Sequence, residues 1–260
     1  MSNIYFTLIS LRINEGVIME SNDFIEILGY KIYKKTLDDC MEKINTFEKV
    51  HIISGNPEVL YTGLHNELLL ENFRSDKALI IPDGVGTQIS AKILKTPVEE
   101  KIAGIELMKK ILKYCESTDK GVYLLGSSQE NLNACIINLL RDYPKLNIVG
   151  HKNGFFDIDN PKEILREITE KKPYAVFVAM GCPRQENFIV KYMDILPAKV
   201  FMGVGGSFDV IAEKVNRAPK WMIKIGMEWF YRVLKEPYRI KRLGNIPRFI
   251  WLVVNRKRVK

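Results

Sequence analysis

Five short segments combine glycine with side chains that bind or carry charge: Ser54-Gly55-Asn56, Asp83-Gly84, Gly126-Ser127-Ser128, Gly181-Cys182-Pro183-Arg184-Gln185, and Gly203 to Asp209. Glycine lets a backbone approach a ligand closely. The free N–H groups at a helix start, with their positive dipole end, suit a phosphate or diphosphate. No segment matches a nucleotide fingerprint. GVGGSF (203–208) is not GxGxxG, DGVGTQ (83–88) lacks the third glycine, and no GxxxxGK[ST] occurs. The chemistry implied is therefore binding of a phosphorylated ligand by loops of a less familiar kind. Metal chemistry is not implied. His51, His65 and His151 show no HExxH-type spacing, and Cys40, Cys115, Cys135 and Cys182 form no CxxC pair. In a chain of 260 residues these cysteines read as reduced, mostly buried thiols.

These segments need a scaffold, and the flanking sequence supplies one. VHIIS (50–54), ALIIP (78–82), GVYLLG (121–126), LNIVG (146–150), YAVFVAMG (174–181) and KVFMGVGG (199–206) read as buried strands. Stretches near 57–72, 104–117, 129–142, 161–171 and 185–195 carry apolar residues at helical spacing. Strand–helix alternation with nearly continuous apolar strands predicts an α/β fold, a Rossmann-like parallel sheet with helices on both faces. Ligands of such sheets bind at the carboxyl ends of the strands. The five polar segments follow strands, so they are expected to converge on one crevice.

Composition narrows the classes further. Hydrophobic residues make up 47% and charged residues 27%, which excludes a disordered chain. The most apolar runs, such as FIWLVV (249–254), fall far short of the roughly 20 residues that cross a bilayer. The opening MSNIYFTLISLRIN lacks a basic first region and Arg12 interrupts it, so it does not read as a secretory signal. A cytoplasmic protein is expected. Its net charge of +8 is unevenly placed: residues 214–260 hold 14 Lys/Arg against Glu228 and Glu236, whereas the other 213 residues hold 25 basic and 29 acidic groups. The same tail holds Trp221, Trp229, Phe230, Tyr231, Tyr238, Phe249 and Trp251. A basic, aromatic-rich tail on a mildly acidic body points to an anionic partner, either nucleic acid or lipid. The composition changes near Glu213–Ala218, ending the α/β domain at residue 213 and opening a basic, mainly helical C-terminal appendage (214–260).

Read together and in order, SGNPEVLY (54–61), IPDGVGT (81–87), KIAGIEL (101–107), VAMGCPRQENFI (178–189) and GVGGSFDVIAEKVNRAPKWMIKIGMEWFYRVLKEPYRIKR (203–242) closely resemble the WecG/TagA/CpsF glycosyltransferases, glycosyltransferase family 26. The similarity covers roughly residues 24–247, which sets residues 1–23 apart as an N-terminal extension and starts the α/β catalytic domain (24–213) at residue 24. It implies an inverting enzyme that moves a sugar from a UDP donor to an undecaprenyl-diphosphate-linked sugar at the cytoplasmic membrane face. One branch moves N-acetylmannosamine onto lipid-linked N-acetylglucosamine in teichoic acid synthesis; uronic acid or glucose donors are the alternatives within the family. By this resemblance Asp83 matches the proposed catalytic base. Chemically, a carboxylate fits the removal of a proton from an attacking hydroxyl. Ser54 and Asn56 match the sugar pocket, Ser54 standing where the family usually has Thr. Gln185 matches an active-site glutamine, and Gly205, Gly206, Ser207 and Asp209 match the loop near the nucleotide. Lys101 stands where the family usually has Arg, which keeps the charge and loses the bidentate fork.

The resemblance also gives the tail its roles: bringing the enzyme to the membrane, and supplying arginines that match Arg232, Arg239 and Arg242. Met222, Ile225, Trp229 and Val233 would form one face of a helix. No metal or other cofactor is expected. The expected partners are a UDP-sugar, a polyprenyl-diphosphate-linked acceptor and an anionic membrane surface; a homo-oligomer stays open. A dinucleotide-dependent oxidoreductase would share the fold, but its fingerprint is missing. A nucleic-acid-binding module would explain the basic tail and leave the crevice residues without a role.

Overall fold

The computed structural model describes residues 22–215, 218, 219, 222, 231 and 244–259. The chain opens with a hairpin of β1 (Phe24–Ile27) and β2 (Tyr30–Tyr33), antiparallel to each other. Then follow α1 (Leu37–Thr46), β3 (Val50–Ser54), α2 (Pro57–Leu64), α3 (Glu67–Arg74), β4 (Ala78–Ile81), α4 (Val85–Ile93) and α5 (Gly104–Ser117). The second half runs β5 (Val122–Gly126), α6 (Gln129–Asp142), β6 (Ile148–Lys152), α7 (Lys162–Lys171), β7 (Ala175–Ala179), α8 (Arg184–Tyr192), β8 (Val200–Gly203) and α9 (Ser207–Ile211). Helix α10 spans Asn245–Val259.

The eight strands form one sheet in the order β1-β2-β4-β3-β8-β7-β5-β6, parallel everywhere except the β1–β2 pair. This is the expected α/β architecture, and alternation along single strands covers both faces. Ile52 of β3 points into a cluster with Ile44 of α1, Ile111 of α5 and Leu132 of α6. Its neighbour Ile53 points the other way, into a cluster with Leu60, Leu69, Ala91 and Phe249 from α2, α3, α4 and α10. A third cluster seats α7 and α8 on β5, β7 and β8, through Ile164, Ile168, Phe188 and Ile189. Strands buried on both faces carry apolar runs without polar alternation, which is why those runs were legible.

Three details differ from the sequence reading. The single helix expected over 57–72 is two, because Asn66 caps a new start by accepting the Leu69 N–H at 3.1 Å. The run at 146–150 enters the sheet two residues later, as β6. The hairpin, α1 and α4 were not expected at all. Of the helical face proposed for the tail, Met222 is buried; Ile225, Trp229 and Val233 lie outside the described residues. Helix α10 packs on α2 and α4, burying Phe249 and Val253, four residues apart, while Arg248 and Trp251 point outward. No helix among the described residues is long and apolar enough to cross a membrane.

Candidate active site

β3 and β8 lie side by side at the middle of the sheet, where the chain order reverses. β3 leads outward to β4, and β8 is reached from β7 on the opposite side. Such a switch point leaves a crevice beyond the carboxyl ends of the strands. The crevice here measures about 650 Å³. All five polar segments reach it: Ser54 at the end of β3 and Asn56 after it, Asp83 after β4, Ser127 after β5, Gln185 after β7, and Gly205 after β8. Gly206, Ser207, Asp209 and Lys101 line it as well. Arg232, Arg239 and Arg242 lie outside the described residues.

On the β3–β4 side a short relay is built from local rules. Asn56 caps α2, its Oδ1 accepting the Val59 N–H at 3.0 Å. The same side chain turns Nδ2 to Ser54 Oγ at 2.9 Å. Ser54 Oγ in turn donates to Asp83 Oδ2 at 2.8 Å. The Gly104 N–H, in the first turn of α5, donates to the same oxygen at 3.4 Å. Both contacts fall on Oδ2, so Oδ1 remains for a proton. Gly55 makes the relay compact, since a Cβ there would lie 2.4 Å from the Ile81 carbonyl oxygen. Thr87 Oγ1 donates to the Gly55 carbonyl and ties α4 to this loop.

On the β5–β8 side the carboxylate is held more firmly. Asp209 Oδ1 accepts from Ser127 Oγ at 2.7 Å and from Asn131 Nδ2 at 2.8 Å. Gln185 is buried, and its Oε1 accepts the N–H groups of Gly181 (3.2 Å) and Gly205 (3.0 Å), joining the loops after β7 and β8. Its Nε2 donates to Glu186 Oε1 at 2.7 Å. Arg184, another lining residue, donates to the Phe156 carbonyl and lies 5.6 Å from the centre of the Phe156 ring.

Three acids (Glu58, Asp83, Asp209) and two cations (Lys101, Arg184) line this space among the described residues. The described lining therefore carries one more acid than cation. No group of three or more His, Cys, Asp or Glu side chains among the described residues is arranged to hold a metal ion. Burial pushes the Cys40, Cys115 and Cys135 thiols up to about 12, which leaves them protonated and inert.

Asn131, Glu186 and Ile246 were not singled out from the sequence, although Asn131 and Ile246 line the crevice and Glu186 holds Gln185. Glu186 follows Gln185 in a quoted motif, and that was the available signal. Nothing local marks Asn131, whose partner is 78 residues away.

Comparison with known proteins gives the family. The model of the glycosyl transferase WecG/TagA/CpsF family matches residues 25–260. A Staphylococcus aureus (strain MW2) protein is 33% identical over 240 residues, covering 90% of this chain and 93% of its own length. A Bacillus spizizenii protein is 34% identical over 207 residues, with 80% and 79% covered. A Bacillus subtilis (strain 168) protein is 30% identical over 224 residues, with 85% and 86% covered. All three are N-acetylglucosaminyldiphosphoundecaprenol N-acetyl-beta-D-mannosaminyltransferases. With matches of this extent on a crevice built from the motif residues, the chain belongs to the WecG/TagA/CpsF family of glycosyl transferases.

Proposed function

We propose that the protein transfers N-acetylmannosamine from a UDP donor to undecaprenyl-diphosphate-linked N-acetylglucosamine, with inversion at the anomeric carbon. The observation that carries this reading is the Asn56–Ser54–Asp83 relay in the crevice of a chain whose relatives bear that activity in their names. Asp83 takes the proton of the acceptor hydroxyl. The freed oxygen forms a bond to the anomeric carbon while the bond to UDP breaks on the opposite side, and UDP leaves with the electron pair. Ser54 and Gly104 hold one carboxylate oxygen so that the other meets the acceptor. General bases of this kind typically contribute about 10²–10⁴-fold.

The nucleotide lies against Asp209 and the loop of Gly205, Gly206 and Ser207, with Gln185 beneath. Lys101 and the arginines Arg232, Arg239 and Arg242 meet the charge of the leaving diphosphate, and no metal is required. The shortage of cations among the described lining residues supports this division. The enzyme works at the inner face of the cell membrane, where the outward Arg248–Trp251 face of α10 suits an anionic surface. A radiolabelled transfer assay comparing several UDP-sugars on one lipid-diphosphate N-acetylglucosamine acceptor tests the reading. Preference for UDP-N-acetylmannosamine is expected; turnover with another donor alone would replace the donor, and none with any donor would overturn the reading.

A further inference from the structure

Glu186 is 2% exposed, and its Oε1 accepts from Gln185. Burying a carboxyl group is costly, and it calls for a function. Its neighbour supplies one. An amide side chain can sit in either of two orientations that differ by exchanging oxygen and nitrogen. In Gln185 the oxygen must face the N–H groups of Gly181 and Gly205, because the nitrogen there would set donor against donor. That orientation buries Nε2, and Glu186 Oε1 is the acceptor that satisfies it. Gly203 makes room for the arrangement, since a Cβ there would lie 2.6 Å from Gln185 Nε2.

We propose that Glu186 is a positioning residue for the donor half of the crevice, aiming the Gln185 amide so that it locks the loops after β7 and β8 together. The proposal rests on the reading of that half as the nucleotide site. The locked segment leads from Gly205 directly to Asp209, whose carboxylate is seated on Ser127 and Asn131. Glu186 therefore acts on donor placement through Gln185, without touching the substrate. Glu58 of α2 and the Cys182 thiol are the ionisable groups beside it. Burial, chiefly, raises its pKa above the ordinary carboxylate value, and Glu58 adds to the shift. The role needs only an acceptor oxygen, which an amide supplies equally well.

The test measures donor KM and kcat on the full chain for Glu186→Ala, Glu186→Gln, Gln185→Ala and the double alanine variant, with thermal unfolding as a folding check. Glu186→Ala is expected to raise donor KM about tenfold, the effect of leaving one buried donor unsatisfied, with kcat changed less. Glu186→Gln restores most of the lost affinity. In the Gln185→Ala background the Glu186→Ala change adds less than about twofold, because two residues acting through one contact are not additive. An unchanged donor KM, a Glu186→Gln variant as impaired as the alanine, or multiplying effects in the double variant would each overturn the proposal. If Glu186→Ala fails to fold, Glu186→Asp, which withdraws the acceptor by one carbon, replaces it. If the wild-type chain transfers no sugar, the transfer reading fails separately, and calorimetric binding of UDP to the same variants still decides the role of Glu186.

Discussion

Asp83 and Asp209 are two carboxylates in one crevice, and they are held differently. Asp83 has one hydroxyl donor at 2.8 Å and one longer backbone contact at 3.4 Å, both on the same oxygen. Asp209 has two side-chain donors at 2.7 and 2.8 Å, and the loop leading to it is pinned by Gln185. Each carboxylate has its two donors on one oxygen and keeps the other clear of them, so the difference is tightness: two short contacts fix Asp209, as suits a group that orients a ligand, and the looser hold on Asp83 suits a group that accepts a proton. Under the proposed function the difference amounts to a division of labour: chemistry on the β3–β4 side, donor placement on the β5–β8 side.

The largest expected effect breaks the chemical half alone. Asp83→Asn keeps size and hydrogen bonding but cannot take a proton, so kcat is expected to fall about 10²–10⁴-fold with the fold intact. Steady-state transfer assays on a variant with wild-type unfolding behaviour check this.

A smaller effect sharpens the other half. Asp209→Ala removes the carboxylate proposed to place the donor and leaves Ser127 and Asn131 unsatisfied, so donor KM is expected to rise about 10- to 100-fold with acceptor KM unchanged. An equal rise in both constants would dissolve the division.

The next effect is on stability and belongs to the strand that carries Ser54. His51 of β3 is fully buried, its Nδ1–H donates to Asn72 Oδ1 at 2.7 Å, and burial holds its pKa down to about 4. The unfolded chain titrates near 6.5, so the unfolded state binds the proton first. Stability is therefore present above about pH 6.5 and is lost as pH falls towards 4, by about 1 kcal/mol at pH 5.5. Denaturant unfolding across pH 7 to 5 should show this slope in the wild type and lack it in His51→Gln. The smallest expected change is that of Asn56→Ala: about 1 kcal/mol of stability from the lost cap of α2. A several-fold fall in kcat, measured in the transfer assay, should accompany it if Ser54 loses its orientation.

The central strands were legible because burial on both faces writes a continuous apolar run, and the polar loops after them were legible because parallel strands end on one edge. The β1–β2 hairpin was not. Its two-residue turn is Leu28-Gly29, with φ of 54° and 82°, a conformation usually announced by Asn-Gly and here imposed on leucine. Asp83 and Ser54 were readable from short motifs, with the partner of each one strand away. The seat of Asp209 was not readable, since Ser127 and Asn131 lie 82 and 78 residues distant and meet it only when β5 and β8 flank β7. Glu186 resembled any first-turn acid of a helix until its burial was known.

The division between the two halves is tested most directly by calorimetric titration of UDP into Asp83→Asn and Asp209→Ala. The account predicts UDP affinity within about threefold of wild type for Asp83→Asn and about 10- to 100-fold weaker for Asp209→Ala. Weakened binding in Asp83→Asn with wild-type binding in Asp209→Ala would contradict it.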